Sequence, residues 1–123
     1  MKTWLWITPL LFALPAQAEW TFVDGGDGVE RYIERDSIDR NGVRVQVWEV
    51  DDSAEPDKFG VLSLRSRTEY DCRERLYRIV QLSGHSQRMS QGTVVFSETV
   101  NGQWKPVQPD TLGALSLEMV CEE

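Results

Sequence analysis

The fold is decided by residues 59–72, FGVLSLRSRTEYDC, whose side chains alternate between two characters. One set is apolar or small: Leu62, Leu64, Ser66, Thr68, Tyr70 and Cys72. The other set is mostly polar: Val61, Ser63, Arg65, Arg67, Glu69 and Asp71. Because successive side chains of a strand point to opposite faces, this period predicts one long strand with the first set toward the core.

Residues 76–82 predict the returning strand of a hairpin. The length of the turn decides which of its side chains face inward, because a one-residue slip in register moves every side chain to the other face. A two-residue turn would put the apolar residues of this strand on the charged face. A three-residue turn at residues 73–75 puts them on the inner face, with Arg78 opposite Tyr70. We expect the longer turn, and with it a structural clasp. In that clasp Arg78 is at least half buried beside Tyr70 and hydrogen-bonds a carboxylate or carbonyl at the end of the C-terminal helix.

The other apolar runs are short and are separated by clusters of Gly, Asp, Asn and Pro. Such spacing predicts short strands joined by turns, at about residues 20–23, 29–34, 43–50, 92–100 and 104–107. Residues 36–42 are expected to form one helical turn or a tight loop.

The end of the chain changes to helical spacing. Pro109 stops the last strand, and Asp110 or Thr111 can cap a helix by accepting a backbone N–H. The apolar stripe of this helix comprises Leu112, Leu115, Leu117, Met119 and Val120. We therefore predict an α+β fold: a single antiparallel sheet of about six strands with a C-terminal helix packed across one face.

Residues 1–18 are organised as a cleaved secretory signal peptide. Lys2 precedes a mostly apolar stretch too short to span a bilayer comfortably, and Ala16-Gln-Ala18 is the small-x-small cleavage site. We expect residues 19–123 to form a single exported domain; an uncleaved membrane anchor is the alternative.

Export determines how the two cysteines, Cys72 and Cys121, are interpreted. In an oxidising compartment an even pair is most simply a structural disulfide, and no redox C-x-x-C motif is present. This bridge would fasten the C-terminal helix across the inner face of the sheet.

The charge of the exported domain is strongly negative. Once Lys2 is removed, 12 Lys and Arg face 20 Asp and Glu, a net charge of −8. This disfavours nucleic-acid binding, which needs a basic face to displace counterions. No second long apolar run is present, so no membrane span is expected.

No enzyme signature is present, and we expect neither catalytic residues nor a cofactor. His85 is the only histidine and is expected to be solvated in a loop, which leaves too few ligands for zinc. The acidic loops at residues 24–28 and 51–57 could hold calcium, but neither has EF-hand spacing. Solvated turns without metal are expected there.

A local basic spot is the candidate binding surface. Arg65 and Arg67 project from the outer face, near Arg73 and Arg75 at the hairpin end, and could recognise acidic groups on a protein or glycan. Cross-strand pairing with neighbouring carboxylates is the alternative. Trp48 would be an exposed anchor on this surface if its face is the outer one.

The sheet must also have edges. The first strand lacks charge between Trp20 and Val23, and unpaired strand edges invite pairing. We therefore expect a two-fold homodimer formed through a strand edge.

Several short motifs follow one another along the mature chain. They are Trp20-x-x-Val23, Tyr32-Ile-Glu-Arg-Asp-Ser-Ile38, Val45-x-Val47-Trp48, Glu69-Tyr-Asp-Cys72 and Trp104-Lys-Pro-Val107-x-Pro109. In this order, and with a short helix closing on Cys121, the chain resembles the surface-adhesin protein E family of Gram-negative bacteria. The resemblance implies a small antiparallel sheet with a C-terminal helix across one face and one disulfide.

The resemblance also implies a function, since the family takes its name from an adhesin that binds host extracellular-matrix proteins. We expect an exported, non-enzymatic binding domain that engages protein partners, such as matrix proteins, through its sheet surface. Two departures matter: Glu19 replaces the lipoprotein cysteine, so no lipid anchor is expected, and Asp110-Thr111 replaces the usual Gly-Ser.

The alternative function is a periplasmic interaction or inhibitor protein, for instance a partner of an envelope complex or an inhibitor of lysozyme. A negative field steers basic enzymes toward an acidic protein. In either case the expected location is the periplasm or the cell surface.

Overall fold

The computed structural model describes residues 19–122, so the predicted signal peptide lies outside the described residues. The elements are β1 (Trp20–Gly26), β2 (Val29–Asn41), β3 (Arg44–Ser53), β4 (Ser63–Asp71), β5 (Leu76–His85), β6 (Val94–Thr99), β7 (Lys105–Pro106) and α1 (Leu112–Cys121). The strands form one antiparallel sheet in the order β1-β2-β3-β4-β5-β6, and β7 pairs with the start of β5. The predicted α+β fold is confirmed.

Tight turns produce this meander. Asp27 and Gly28, with φ angles of 56° and 79°, join β1 to β2. Positive φ at both central positions matches the right-handed twist of a two-residue hairpin, and Asp-Gly adopts it readily. Consecutive strands therefore become neighbours, as the order of the sheet requires.

The inner face of the sheet is defined here as the face that carries α1. Its core consists of Ile33, Val45, Val47, Tyr70, Val107, Ala114, Leu117 and Val120. The helix packs against β1, β2 and β3. A ten-residue helix is about 15 Å long, whereas six strands span roughly 24 Å, so α1 covers only part of this face.

Both ends of α1 are held by specific contacts. Thr111 is the N-cap, and its Oγ1 accepts a hydrogen bond from the Ala114 amide at 3.1 Å. Beyond the helix, Arg40 donates to the Glu122 carbonyl at 2.6 Å. The predicted disulfide joins Cys72 to Cys121, with their Cα atoms 5.8 Å apart. Of the predicted apolar stripe, Leu115 is exposed, and Ser116 is buried in its place.

The prediction of a helical turn or loop at residues 36–42 is wrong, because β2 continues to Asn41. Glu34 lies opposite Trp48 and Asp39 opposite Gln46, so four residues of β2 face the single residue Val47 of β3. The Ser37 hydroxyl accepts a hydrogen bond from the Trp48 amide inside this irregularity. Pairing with β3 therefore outweighs the local turn preference of these polar residues.

The expected hairpin register is wrong at the turn and correct farther along the strands. At the turn Tyr70 pairs with Tyr77, the register of the two-residue turn, although four residues connect the two strands. A β-bulge then leaves Val80 without a partner, and beyond it Leu82 lies opposite Ser66 on the inner face, as the longer turn predicted.

The clasp between Arg78 and Tyr70 is therefore wrong. Arg78 is more than half buried, as predicted, but it lies opposite Glu69 on the outer face, away from the face that carries α1. Tyr70 faces inward, as predicted, and its hydroxyl donates to Glu49 at 2.8 and 2.9 Å. The physical reason is the register at the turn, which moves Arg78 to the outer face and pairs Tyr70 with Tyr77.

The first testable prediction concerns the disulfide. Replacing Cys72 and Cys121 together by serine should lower the free energy of unfolding by about 4 kcal/mol, the chain-entropy value for a loop of this length. Urea unfolding of the wild-type and doubly substituted mature domains measures the difference. A loss below about 1 kcal/mol would show that packing alone holds α1 on the sheet.

Candidate functional site

The candidate site is the outer face of the sheet, opposite α1. The registers of β3, β4 and β5 bring six polar or aromatic side chains onto this face: Gln46, Trp48, Arg65, Arg67, Glu69 and Arg78. Strand alternation places them there, since Val45 and Val47 between them point into the core. The outer face is thus lined with arginine and tryptophan in an otherwise acidic protein.

Trp48 is the centre of one half of this face. The guanidinium carbon of Arg65 lies 4.0 Å from the centroid of its ring, and that of Arg67 lies 5.5 Å away. A guanidinium stacked on a tryptophan ring is attracted to its π electrons. The predicted proximity of Arg65, Arg67 and Trp48 is therefore observed, and Trp48 is half-buried between them.

The two arginines differ in how their donors are used. Arg67 donates to Gln46 at 3.2 Å and to the Ser37 carbonyl at 3.0 Å, and burial, opposed by Asp39 and Glu34, lowers its pKa. Within residues 19–122, Arg65 makes neither a hydrogen bond nor an ion pair. The alternative, pairing of these two arginines with carboxylates, is not observed within residues 19–122.

Glu69 connects the two halves of the face. Arg78 donates to its carboxylate from Nε at 2.7 Å and from Nη2 at 2.6 Å. Gln46 donates to the other carboxylate oxygen at 3.2 Å. Glu69 is buried under these donors, so one carboxylate fixes the positions of side chains from β3 and β5.

Trp104 is the centre of the second half. The guanidinium carbon of Arg78 lies 4.6 Å from its ring centroid and that of Arg44 lies 5.4 Å away. The segment after β6 reaches this position by continuing along the edge of β5, where a Cβ on Gly102 would come within 2.7 Å of the Ile79 carbonyl oxygen. Glycine is therefore required at this close approach.

Two residues of the predicted spot lie apart from Trp48, and three residues that were not predicted as candidates lie on the same face as Trp48. Arg73 and Arg75 lie in the β4–β5 turn, at the end remote from Trp48, and Arg75 lines a small cleft beside α1. Arg44, Arg78 and Trp104 join the face instead. Strand alternation in β3 places Arg44 on the same face as Trp48 and could have indicated it. The positions of Arg78 and Trp104 depend on the register of β5 and on the path of the segment after β6.

The remaining candidate residues are occupied within the chain. His85, expected in a solvated loop, ends β5 with 7% exposure, and its Nε2 lies 2.8 Å from Ser83 Oγ. Burial and the charge of Arg65 lower its pKa. In the acidic segment 51–57, Asp51 binds Arg31, Asp52 accepts from the Met89 amide, and Asp57 accepts from two backbone amides.

Comparison with known proteins identifies relatives of this fold. The family model described as surface-adhesin protein E matches residues 20–122. No curated protein sequence matches the chain. None of the helices in residues 19–122 has the length and apolar character needed to cross a membrane.

Two solved structures similar to the chain are both of Haemophilus influenzae protein E. The selenomethionine form has a TM-score of 0.63 at 16% sequence identity, covering 80% of this chain and 89% of that chain. A second crystal form has a TM-score of 0.61 at 16% identity, covering 89% of this chain and 96% of that chain. At this identity the match concerns the fold.

The second testable prediction separates structural from free arginines on the outer face. Arg78→Ala should destabilise the domain by about 1.5–3 kcal/mol, because it leaves the buried Glu69 carboxylate without its charged donor. Arg65→Ala should remove only a stacking contact, about 0.5–1 kcal/mol. Urea unfolding of both variants measures the two values.

A double variant provides the control. Glu69→Gln removes the charge that Arg78→Ala leaves unpaired, so Arg78→Ala should cost less in the Glu69→Gln background than in the wild type. Equal costs in the two backgrounds would contradict a structural role for this ion pair.

Proposed function

The chain belongs to the surface-adhesin protein E family, and from this premise we propose that it is an exported, non-enzymatic binding domain that engages a protein partner through the outer face of its sheet. The observation that carries the proposal is Arg65, stacked at 4.0 Å on Trp48 with no carboxylate partner among the described residues. An arginine held by an aromatic ring keeps its hydrogen-bond donors available to a ligand.

The arrangement of the face supports a partner rather than a role in stability alone. Stacking on Trp48 restricts the Arg65 side chain before binding, which reduces the entropy lost when a ligand orders it. Tryptophan and arginine are also the residue types that dominate binding energies at interfaces. Trp48 and Trp104, each with two arginines, provide two such anchors on one rigid sheet.

The chemistry of the face indicates the kind of partner. Four arginines lie on the outer face, but strand pairing also places Glu34, Asp39, Glu69 and Asp71 there, so the positive group left available is Arg65, which makes no ion pair within residues 19–122. Guanidinium groups bind carboxylates through two parallel hydrogen bonds. We infer that the partner presents an acidic segment to this face, and matrix proteins of a host are the first candidates to test.

Export is part of the proposal. The signal-like residues 1–18 would direct the chain out of the cytoplasm, and the oxidised Cys72–Cys121 pair suits the periplasm or the cell surface. Protease treatment of intact cells separates the two locations, since only a surface-displayed domain would be cleaved.

A second candidate function is inhibition of a basic enzyme, such as a lysozyme, in the periplasm. The observation that favours it is an acidic cleft between the β1–β2 turn and the start of α1, lined by Asp24, Asp27, Asp110 and Glu118. Those carboxylates would attract a basic enzyme. Inhibition of lysozyme that is lost on Asp24→Asn and Asp110→Asn but kept on Arg65→Gln would favour this second function.

The third testable prediction concerns binding through the outer face. Arg65→Gln should weaken binding to a Glu-rich peptide, and to any matrix protein that the wild type binds, by about tenfold, the scale of one charge-assisted hydrogen bond. Surface plasmon resonance with the mature domain measures the affinities. Raising the salt concentration should weaken wild-type binding more than binding of the variant.

Arg73→Gln is the matched control, since it removes the same charge in the β4–β5 turn, away from Trp48. It should leave the affinity nearly unchanged. If Arg65→Gln and Arg73→Gln weaken binding equally, the net charge of the protein, and not the outer face, determines the affinity.

The fourth prediction concerns assembly. One edge of the sheet is β1, the other is formed by β6 and the short β7, and every residue of β6 is exposed. We propose that one of these edges pairs with a second copy in a two-fold dimer. Light scattering of the mature domain at high micromolar concentration should give twice the monomer mass, and a monomer at that concentration would refute the dimer.

A further inference from the structure

The inner face carries a cleft that the proposed function does not use. It lies where α1 stops covering the sheet, between β3–β5 and the segment that leads into the helix, and its volume is about 500 Å³. This size falls within the range of small-molecule binding sites. The outer face and this cleft lie on opposite sides of the same strands, so they can be occupied independently.

Most of the cleft wall is apolar. Its lining includes Leu64, Tyr77, Ile79, Leu82 and Leu112. Leu64 is 38% exposed, although it points to the same face as the core residue Tyr70. Water in contact with this wall is released when a hydrocarbon group replaces it, which favours binding of an apolar body.

The other part of the cleft is charged, and its central group is Glu49. The Glu49 side chain lines the cleft, yet the residue is only 3% exposed. Within residues 19–122 its carboxylate accepts a hydrogen bond only from the Tyr70 hydroxyl, which is shared between the two carboxylate oxygens at 2.8 and 2.9 Å. A carboxylate can accept about four hydrogen bonds, so Glu49 retains unused acceptor sites in a poorly hydrated position.

Arg31 offsets only part of the negative charge of this site. Its Nε and Nη2 donate to Asp51 at 2.7 and 3.0 Å, whereas its Nη1 is 3.8 Å from Glu49. Burial alone would lower the pKa of Arg31, but the hydrogen bonds that it donates to Asp51 and the charges of Glu49 and Asp51 raise that pKa above its ordinary value. One permanent cation therefore faces two carboxylates, and the charged part of the cleft keeps an excess negative charge.

We propose that this cleft binds a small amphiphilic amine, with its protonated ammonium group at Glu49 and its hydrocarbon body against Leu64, Ile79 and Leu82. The ammonium group supplies further hydrogen-bond donors to Glu49 and a second positive charge beside the two carboxylates that share Arg31. The apolar wall binds the rest of the molecule. An anionic amphiphile is disfavoured, because the guanidinium of Arg31 is already engaged by Asp51.

The test compares three eight-carbon probes that differ only in their head group: n-octylamine, n-octanoate and 1-octanol. Titration calorimetry of each into the oxidised mature domain at pH 7 gives the affinities. We expect n-octylamine to bind at least tenfold more tightly than either of the other two. Displacement of amide resonances around Glu49 and Leu64 in NMR spectra should locate the bound amine in the cleft.

Two substitutions identify the group responsible. Glu49→Gln keeps the size of the side chain and an acceptor for Tyr70 but removes the charge. It should weaken the binding of n-octylamine about tenfold. Glu74→Gln removes an equal charge from the exposed β4–β5 turn and should leave the affinity unchanged. The outer-face variant Arg65→Gln should also bind n-octylamine normally, which distinguishes this site from the one proposed for protein partners.

Circular dichroism must first show that Glu49→Gln is folded. If Glu49→Gln is not folded, the variant Leu64→Ser, at the more exposed part of the wall, is used in its place. It should weaken the binding of n-octylamine severalfold. Equal affinities for n-octylamine and 1-octanol, tighter binding of n-octanoate, or no binding of n-octylamine would each overturn the proposal.

Discussion

The whole arrangement depends on one extra residue in β5. Val80 has no partner in β4, so the pairing register before it differs by one residue from the register after it. Before the bulge, Tyr77 points to the inner face and Arg78 to the outer face; after it, Leu82 points inward. Without the bulge, either Arg78 or Leu82 would face the opposite side of the sheet, because strand side chains alternate strictly. The ion pair on one face and the apolar cleft on the other therefore both require Val80.

This bulge also explains which parts of the fold could be predicted from the sequence. The alternation of residues 59–72 is long and chemically clear, so the strand and its faces follow directly. The hairpin register could not be predicted, because each of the two turn lengths considered describes only one half of the observed pairing. Nothing in the local sequence around Val80 marks an unpaired position. Similarly, the polar residues at 36–41 favour a turn locally, and only the partner strand β3 draws them into the sheet.

The same limit applies to the candidate site. Arg65, Arg67 and Trp48 could be grouped in advance, because the first two share a strand face and Trp48 alternates with core valines. The role of Arg78 could not be predicted, since its pairing with Glu69 depends on the strand register. Glu49 escaped notice altogether: it lies between two buried valine positions in β3, and its burial becomes visible only when Tyr70 is placed above it from the neighbouring strand. Pairwise contacts across strands are thus the information that a single sequence lacks.

A short helix on a wide sheet produces the contrast between the two faces. The helix, fixed by the disulfide and by Arg40, packs against β1 to β3 and leaves a cleft on the inner face lined by Leu64, Ile79 and Leu82. There the charged residues come from β2 and β3, with carboxylates in excess of Arg31. On the outer face Arg65 and Arg67 stack on Trp48, and Arg65 makes no ion pair within residues 19–122. The net charge of the chain reveals neither this arginine nor the carboxylates of the inner face. Because backbone pairing fixes the strands between the two faces, a ligand on one side need not disturb the other, and one small domain can present two surfaces of different chemistry.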